Sequence, residues 1–107
     1  VVLAVVNFDR LAARTGAIDG AHYSASKGGI LGLARSLAVE TATDNIRVNT
    51  ISPGLAGTAQ PRAFGCIPLG RIGNVQDMTE ACMFLLSEES SYVICQDLRV
   101  NGGASLW

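Results

Sequence analysis

Two short apolar runs separated by a stretch of helix length restrict this chain more than any other feature. Val1-Val2-Leu3-Ala4-Val5-Val6 is continuous, apolar and rich in β-branched residues. Such a run is expected of a strand covered on both faces, as in a parallel sheet. A polar loop follows, from Asn7 to about Gly20. Residues 22–39 then place Ile30, Leu33, Ala34, Leu37 and Ala38 at helical spacing. Thr41-Ala42-Thr43-Asp44-Asn45 breaks that pattern and leads into a second strand at residues 46–51. Strand, helix and strand in that order make one right-handed βαβ unit.

The pattern repeats more weakly toward the end. Residues 59–70 are irregular, and their position suggests a loop beside a ligand site. Asn74 with Asp77 three residues on marks a helix start before Met78, Ala81, Cys82, Leu85 and Leu86. Residues 98–100 read as a last short strand closed by Gly102-Gly103. No internal repeat, low-complexity tract or long linker divides the chain, so residues 1–107 form one domain or part of one.

Composition narrows the function classes. With 107 residues, 49% hydrophobic and 16% charged, at net charge −1, the chain offers no basic patch for nucleic acid. The opening apolar run is too short to span a bilayer and lacks a basic start, so no membrane partner is expected. Cys66, Cys82 and Cys95 have no metal-ligand spacing, and their odd number argues against a closed disulfide framework. A reducing, cytoplasmic setting is the simplest reading. His22 is the only histidine, which leaves little material for a histidine triad or a multi-histidine metal site. It is assigned to the first turn of the first helix.

The chemistry concentrates in Tyr23-Ser24-Ala25-Ser26-Lys27. Residues four apart are neighbours on a helix, so an ammonium at Lys27 stands near the Tyr23 phenol. A free phenol keeps its proton up to about pH 10, and a fixed cation beside it favours the phenolate. Such a pair can exchange a proton with an alcohol or carbonyl. The same pairing also occurs on solvated helix faces with no chemical role, so the surroundings decide. Gly28 and Gly29 each cost about 1 kcal/mol inside a helix relative to alanine, which suggests that something packs against the backbone there. Residues 49–58 end a strand in a Pro53-Gly54 turn, where α/β sheets bind ligands.

Taken together, these stretches resemble the short-chain dehydrogenase/reductase family. The matching positions are Tyr23 with Lys27, Arg47-Val48-Asn49, Pro53-Gly54 with Thr58, Pro68-Leu69-Gly70-Arg71, Phe84-Leu85-Leu86-Ser87, Ser91-Tyr92 and Val100-Asn101-Gly102-Gly103. The resemblance implies an α/β fold, namely the C-terminal part of a doubly wound parallel sheet of Rossmann-like type with its N-terminal nucleotide-binding strands missing. The family's glycine-rich turn, which receives the pyrophosphate, is absent from these residues. The activity implied is NAD(P)-dependent interconversion of an alcohol and a ketone by hydride transfer, in a homo-oligomer.

Site roles follow from the same resemblance. Tyr23 would be the general acid/base, and Lys27 its electrostatic partner and a ligand of the nicotinamide ribose. Tyr23, Lys27, Pro53, Gly54, Ala56 and Thr58 would line the coenzyme, NAD or NADP. For Pro53-Gly54 the structural alternative is a plain turn that ends a strand. No metal is expected.

Two departures from the family stand out. A serine usually lies thirteen residues before the active tyrosine, and that place holds Arg10, preceded by Asp9. Arginine accepts neither a proton nor a hydrogen bond, so either its cation polarises a carbonyl or the serine's function is lost. Cys95 stands where relatives commonly carry glycine. It is read as a small buried thiol, with backbone strain as the alternative if a positive φ is required. A second reading of the whole chain is an inactive member or fragment that serves as an oligomerisation module, with residues 1–6 as an open edge seeking a partner.

Overall fold

The computed structural model describes residues 3–10, 20–54 and 67–104. Strand β1 (Leu3–Phe8) leads to helix α1 (Ala21–Thr41), and a 3-10 turn at Ala42–Asp44 leads to strand β2 (Ile46–Pro53). Helix α2 (Val75–Leu86), a second 3-10 turn (Glu88–Ser90) and strand β3 (Asp97–Val100) follow. The strands form a parallel sheet in the order β1-β2-β3, with Phe8 level with Ile51 and Val100 level with Pro53. The βαβ unit read from the sequence is therefore present. Its helix extends two residues further at its C-terminal end than the apolar pattern suggested, and β2 runs on to Pro53.

The two helices cover opposite faces. Along β2, Val48 packs against Ala34 and Ala38 of α1. Arg47, on the other face, bonds to the end of α2. β2 is central, and its residues 47–52 are all buried. β1 differs from expectation. Its apolar run is not covered on both faces: Leu3, Val5 and Phe8 are 53%, 41% and 42% exposed. The reason is position, since among the described residues β1 is the outer strand of this sheet and pairs only with β2.

The buried stripe of α1 is Leu31, Ala34 and Ala38, spaced three and four apart. Leu33, expected on that face, is 57% exposed instead. Nor does anything pack at Gly29: a Cβ there would meet no atom within 4 Å. Gly29 is thus not explained by a close neighbour among the described residues.

Helix α2 starts as its sequence dictates. Asn74 Oδ1 accepts from the Asp77 N–H, and Asp77 Oδ2 accepts from the Asn74 N–H, both at 2.8 Å. This reciprocal capping box satisfies two backbone donors that the helix cannot use. No described helix is long and apolar enough to cross a membrane.

Candidate active site

α1 runs back along the sheet from its carboxyl edge, so its first two turns stand beside the end of β1. Tyr23 and Lys27 lie on those turns. The Lys27 Nζ donates to the Phe8 carbonyl at 3.4 Å and lies 6.0 Å from the centroid of the Tyr23 ring. That distance is at the outer limit of a cation–π contact. Tyr23 is 39% exposed. The one hydrogen bond of Lys27 is long, which leaves ammonium donors free for a further partner. The predicted pair is thus brought together at the carboxyl edge, where open α/β sheets place their ligands.

Pro53 and Gly54 end β2 at the same edge. The Gly54 N–H donates to the Val100 carbonyl at 2.9 Å. A Cβ on Gly54 would stand 2.7 Å from Asn101 Cβ, closer than real contacts allow. Glycine is required here by the approach of the β3 terminus, so the structural alternative accounts for this residue without any ligand. Ala56 and Thr58 lie outside the described residues, as do Cys66 and most of the loop at residues 59–70.

Arg10 is exposed and Asp9, beside it, is 1% exposed. Neither carboxylate oxygen of Asp9 has a hydrogen-bond partner. Ser24, next to Tyr23, also carries a buried hydroxyl without a partner. Sequence reading used Asp9 only to mark the place before Arg10. An acidic residue at the end of an apolar strand was the signal available.

Several family-like positions prove to be fasteners. Arg47 is buried, and its Nη1 donates to the Leu85 carbonyl at 3.0 Å and to Ser90 Oγ at 2.8 Å, while Nη2 donates to the Ser87 carbonyl at 2.9 Å. It satisfies carbonyls that the end of α2 leaves open, where helix polarity favours a cation. Asn49 Nδ2 donates to the Val93 carbonyl at 2.8 Å, and its Oδ1 accepts from the Gln96 N–H at 3.0 Å. Ser52 Oγ donates to Asp97 Oδ1 at 2.6 Å. Arg71 grips Asp77 with two bonds of 2.7 and 3.0 Å. The Arg71 guanidinium, aided by the Asn74 N–H, lowers the Asp77 carboxyl to about 2.

Cys95 has φ +60 and is half-buried against the α1 core. The strained backbone is therefore the feature at this position, not a simple buried thiol. Its N–H donates to the Val48 carbonyl at 2.9 Å, which holds the turn in place.

A three-stranded parallel sheet with helices on both faces defines a Rossmann-like α/β protein. The family model described as enoyl-(acyl carrier protein) reductase matches residues 3–105. Carbonyl reductase family member 4 of Danio rerio is 44% identical over 109 residues, covering 96% of this chain and 45% of that protein. A 3-oxoacyl-(acyl-carrier-protein) reductase of Chlamydia muridarum is 35% identical over 109 residues, covering 94% and 44%. A crystal structure from Sinorhizobium meliloti 1021, assigned to the short-chain alcohol dehydrogenases, superposes with a TM-score of 0.87 at 35% identity, covering 94% of this chain and 44% of that one. The chain belongs to the short-chain dehydrogenase/reductase family of oxidoreductases. It spans less than half the length of these relatives.

Proposed function

We propose that the protein carrying this chain is an NAD(P)-dependent oxidoreductase that interconverts an alcohol and a ketone. The observation that carries the reading is the pairing of Tyr23 with Lys27 beside the end of β1. Tyr23 is the general acid/base: its hydroxyl gives a proton to the carbonyl oxygen during reduction and takes one from the alcohol during oxidation. Lys27 keeps a positive charge beside the phenol and favours its anionic form.

The residues present fit the nicotinamide end of a coenzyme. Lys27 has free donors for ribose hydroxyls. Pro53, Gly54, Ala56 and Thr58 are the further coenzyme contacts in this reading. When bound, the dinucleotide supplies or accepts the hydride. The adenine end would be held by residues outside this chain, since no glycine-rich phosphate turn occurs within it.

Arg10 replaces the serine that would steady the substrate oxygen. It presents a fixed cation and cannot serve as an acceptor. Oxidation of reduced coenzyme by a ketone panel tests the reading, with Tyr23→Phe in the complete protein as the control. Turnover that survives Tyr23→Phe undiminished sinks it. The exposed Leu3, Val5 and Phe8 on the outer strand, with Leu33 and Val39 on α1, favour a second reading as an oligomerisation module. Absence of turnover together with a concentration-dependent oligomer would support that one.

A further inference from the structure

Two buried polar groups between α1 and the sheet have nothing to bond. Both Asp9 carboxylate oxygens and the Ser24 hydroxyl lack partners. Their placement follows from the geometry of the strand and helix. The Asp9 N–H donates to the Ile51 carbonyl at 2.8 Å, adding one rung to the β1–β2 ladder. Strand alternation then puts Asp9 on the face of Val5 and Asn7, away from Phe8 and level with Ser52. That is the face α1 covers. Lys27 reaches the Phe8 carbonyl. One turn earlier, about 5 Å back along the helix, stands Ser24, while Asp9 lies about 3.3 Å further along the strand. Both therefore lie toward the carboxyl edge of the sheet, and Ser24 adjoins Tyr23 in the chain.

Neighbouring groups do not meet the need. Ser52 donates to Asp97, Lys27 is directed at the Phe8 carbonyl and the Tyr23 ring, and Arg10 forms no bond to Asp9. A carboxylate enclosed without donors is strongly unfavourable, and when ionised it can only accept. Whatever completes this site must bring donors. Ser24 adjoins Tyr23 in the chain, and the proposed function puts the substrate in front of Tyr23.

We propose that Asp9, with Ser24, accepts a hydrogen-bond donor carried by the substrate next to its reacting carbon. The donor is a hydroxyl or an ammonium, so hydroxyketones or aminoketones are preferred to plain ketones. The proposal rests on the oxidoreductase reading, and no bond is made or broken at Asp9. Asp9 sets specificity, while Tyr23 moves the proton.

The test uses the complete protein with butanone, acetoin and aminobutanone, which share one carbon skeleton. A carboxylate accepting a donor should favour acetoin or aminobutanone by about ten- to a hundredfold in kcat/KM, mainly through KM. Asp9→Asn should abolish the preference for the ammonium, and Ser24→Ala should weaken either preference, with butanone turnover unchanged in both. If Asp9→Asn fails to fold by circular dichroism, Ser24→Ala carries the comparison alone. A second readout needs no turnover: the carbon-13 carboxyl resonance of Asp9 should shift saturably with ethanolamine or ethylene glycol and not with butanone, which has no donor.

Equal efficiency on all three ketones, or a preference unchanged by the variants, overturns the proposal. So does a carboxyl resonance that ignores both donor ligands or responds equally to butanone. Butanone reduction without discrimination removes the subsite and spares the oxidoreductase reading. A saturable carboxyl shift with no ketone reduced supports the subsite and removes that reading.

Discussion

The two faces of the sheet bond their polar residues to different degrees. On the α2 side, Arg47, Asn49 and Ser90 are bonded within the fold, and Arg71, Asn74 and Asp77 close the approach to the helix. On the α1 side, Asp9 and Ser24 are buried without partners and Lys27 holds one long bond. Buried polar groups in a scaffold are normally paired, and the exceptions call for an explanation. On the α2 side a single buried atom, Arg47 Nε, is left without a partner while the rest of its guanidinium is bonded, whereas on the α1 side Ser52 is paired but a whole carboxylate and a hydroxyl are not.

The largest test of this contrast is chemical. Tyr23→Phe should lower ketone reduction by about a hundred- to ten-thousandfold without changing the melting temperature. Loss of stability in place of activity would put Tyr23 in the scaffold. The mirror experiment is Arg47→Met, which leaves the Leu85 and Ser87 carbonyls and Ser90 without their donor. It should cost about 3 kcal/mol in urea unfolding, because each abandoned buried group carries its own penalty. A variant as stable as the wild type would show that the α2 side is not held by Arg47.

Gly54→Ala comes next. The added Cβ would press on Asn101, at a cost of about 1–3 kcal/mol in stability. If that variant is stable but loses coenzyme binding, Gly54 belongs to the site and not to the β2–β3 junction. The Arg71–Asp77 fastener adds a pH dependence. The Asp77 carboxyl sits at about 2 in the folded chain, below its ordinary 3.8. A depressed acid stabilises the fold above its unfolded value and loses that effect as pH falls toward 2. Stability should therefore decline across that window, and Asp77→Asn should flatten the decline. The smallest effect is Cys95→Gly, which relieves a left-handed backbone and should raise stability by up to about 1 kcal/mol. A loss would mean that the thiol's packing outweighs the strain.

Much of the fold was legible because it depends on local rules. The Asn74–Asp77 cap, the α2 face with Leu85 and the break at residues 41–45 are set by spacing and residue type alone. The strand at Leu3–Phe8 was recognisable as a strand, but not as an exposed one. Burial depends on what lies alongside, which a run of valines cannot specify. Leu33 failed for the same reason: helical spacing gives a face, while the neighbour decides how far that face extends. At the candidate site, Tyr23 and Lys27 were readable from four-residue spacing. Asp9 was not, because a carboxylate at a strand end is ordinary until its surroundings prove empty of donors.

By itself the sequence determined the order of elements, which follows from periodicity along one chain, and, through its ordered motifs, the family. Only the tertiary structure decided that Arg47 and Gly54 serve the junctions between elements, that Cys95 bears a left-handed backbone, and that Asp9 and Ser24 are enclosed without partners. Hydrogen-bond satisfaction is a property of groups distant in sequence and near in space, so it appears only when the chain has folded.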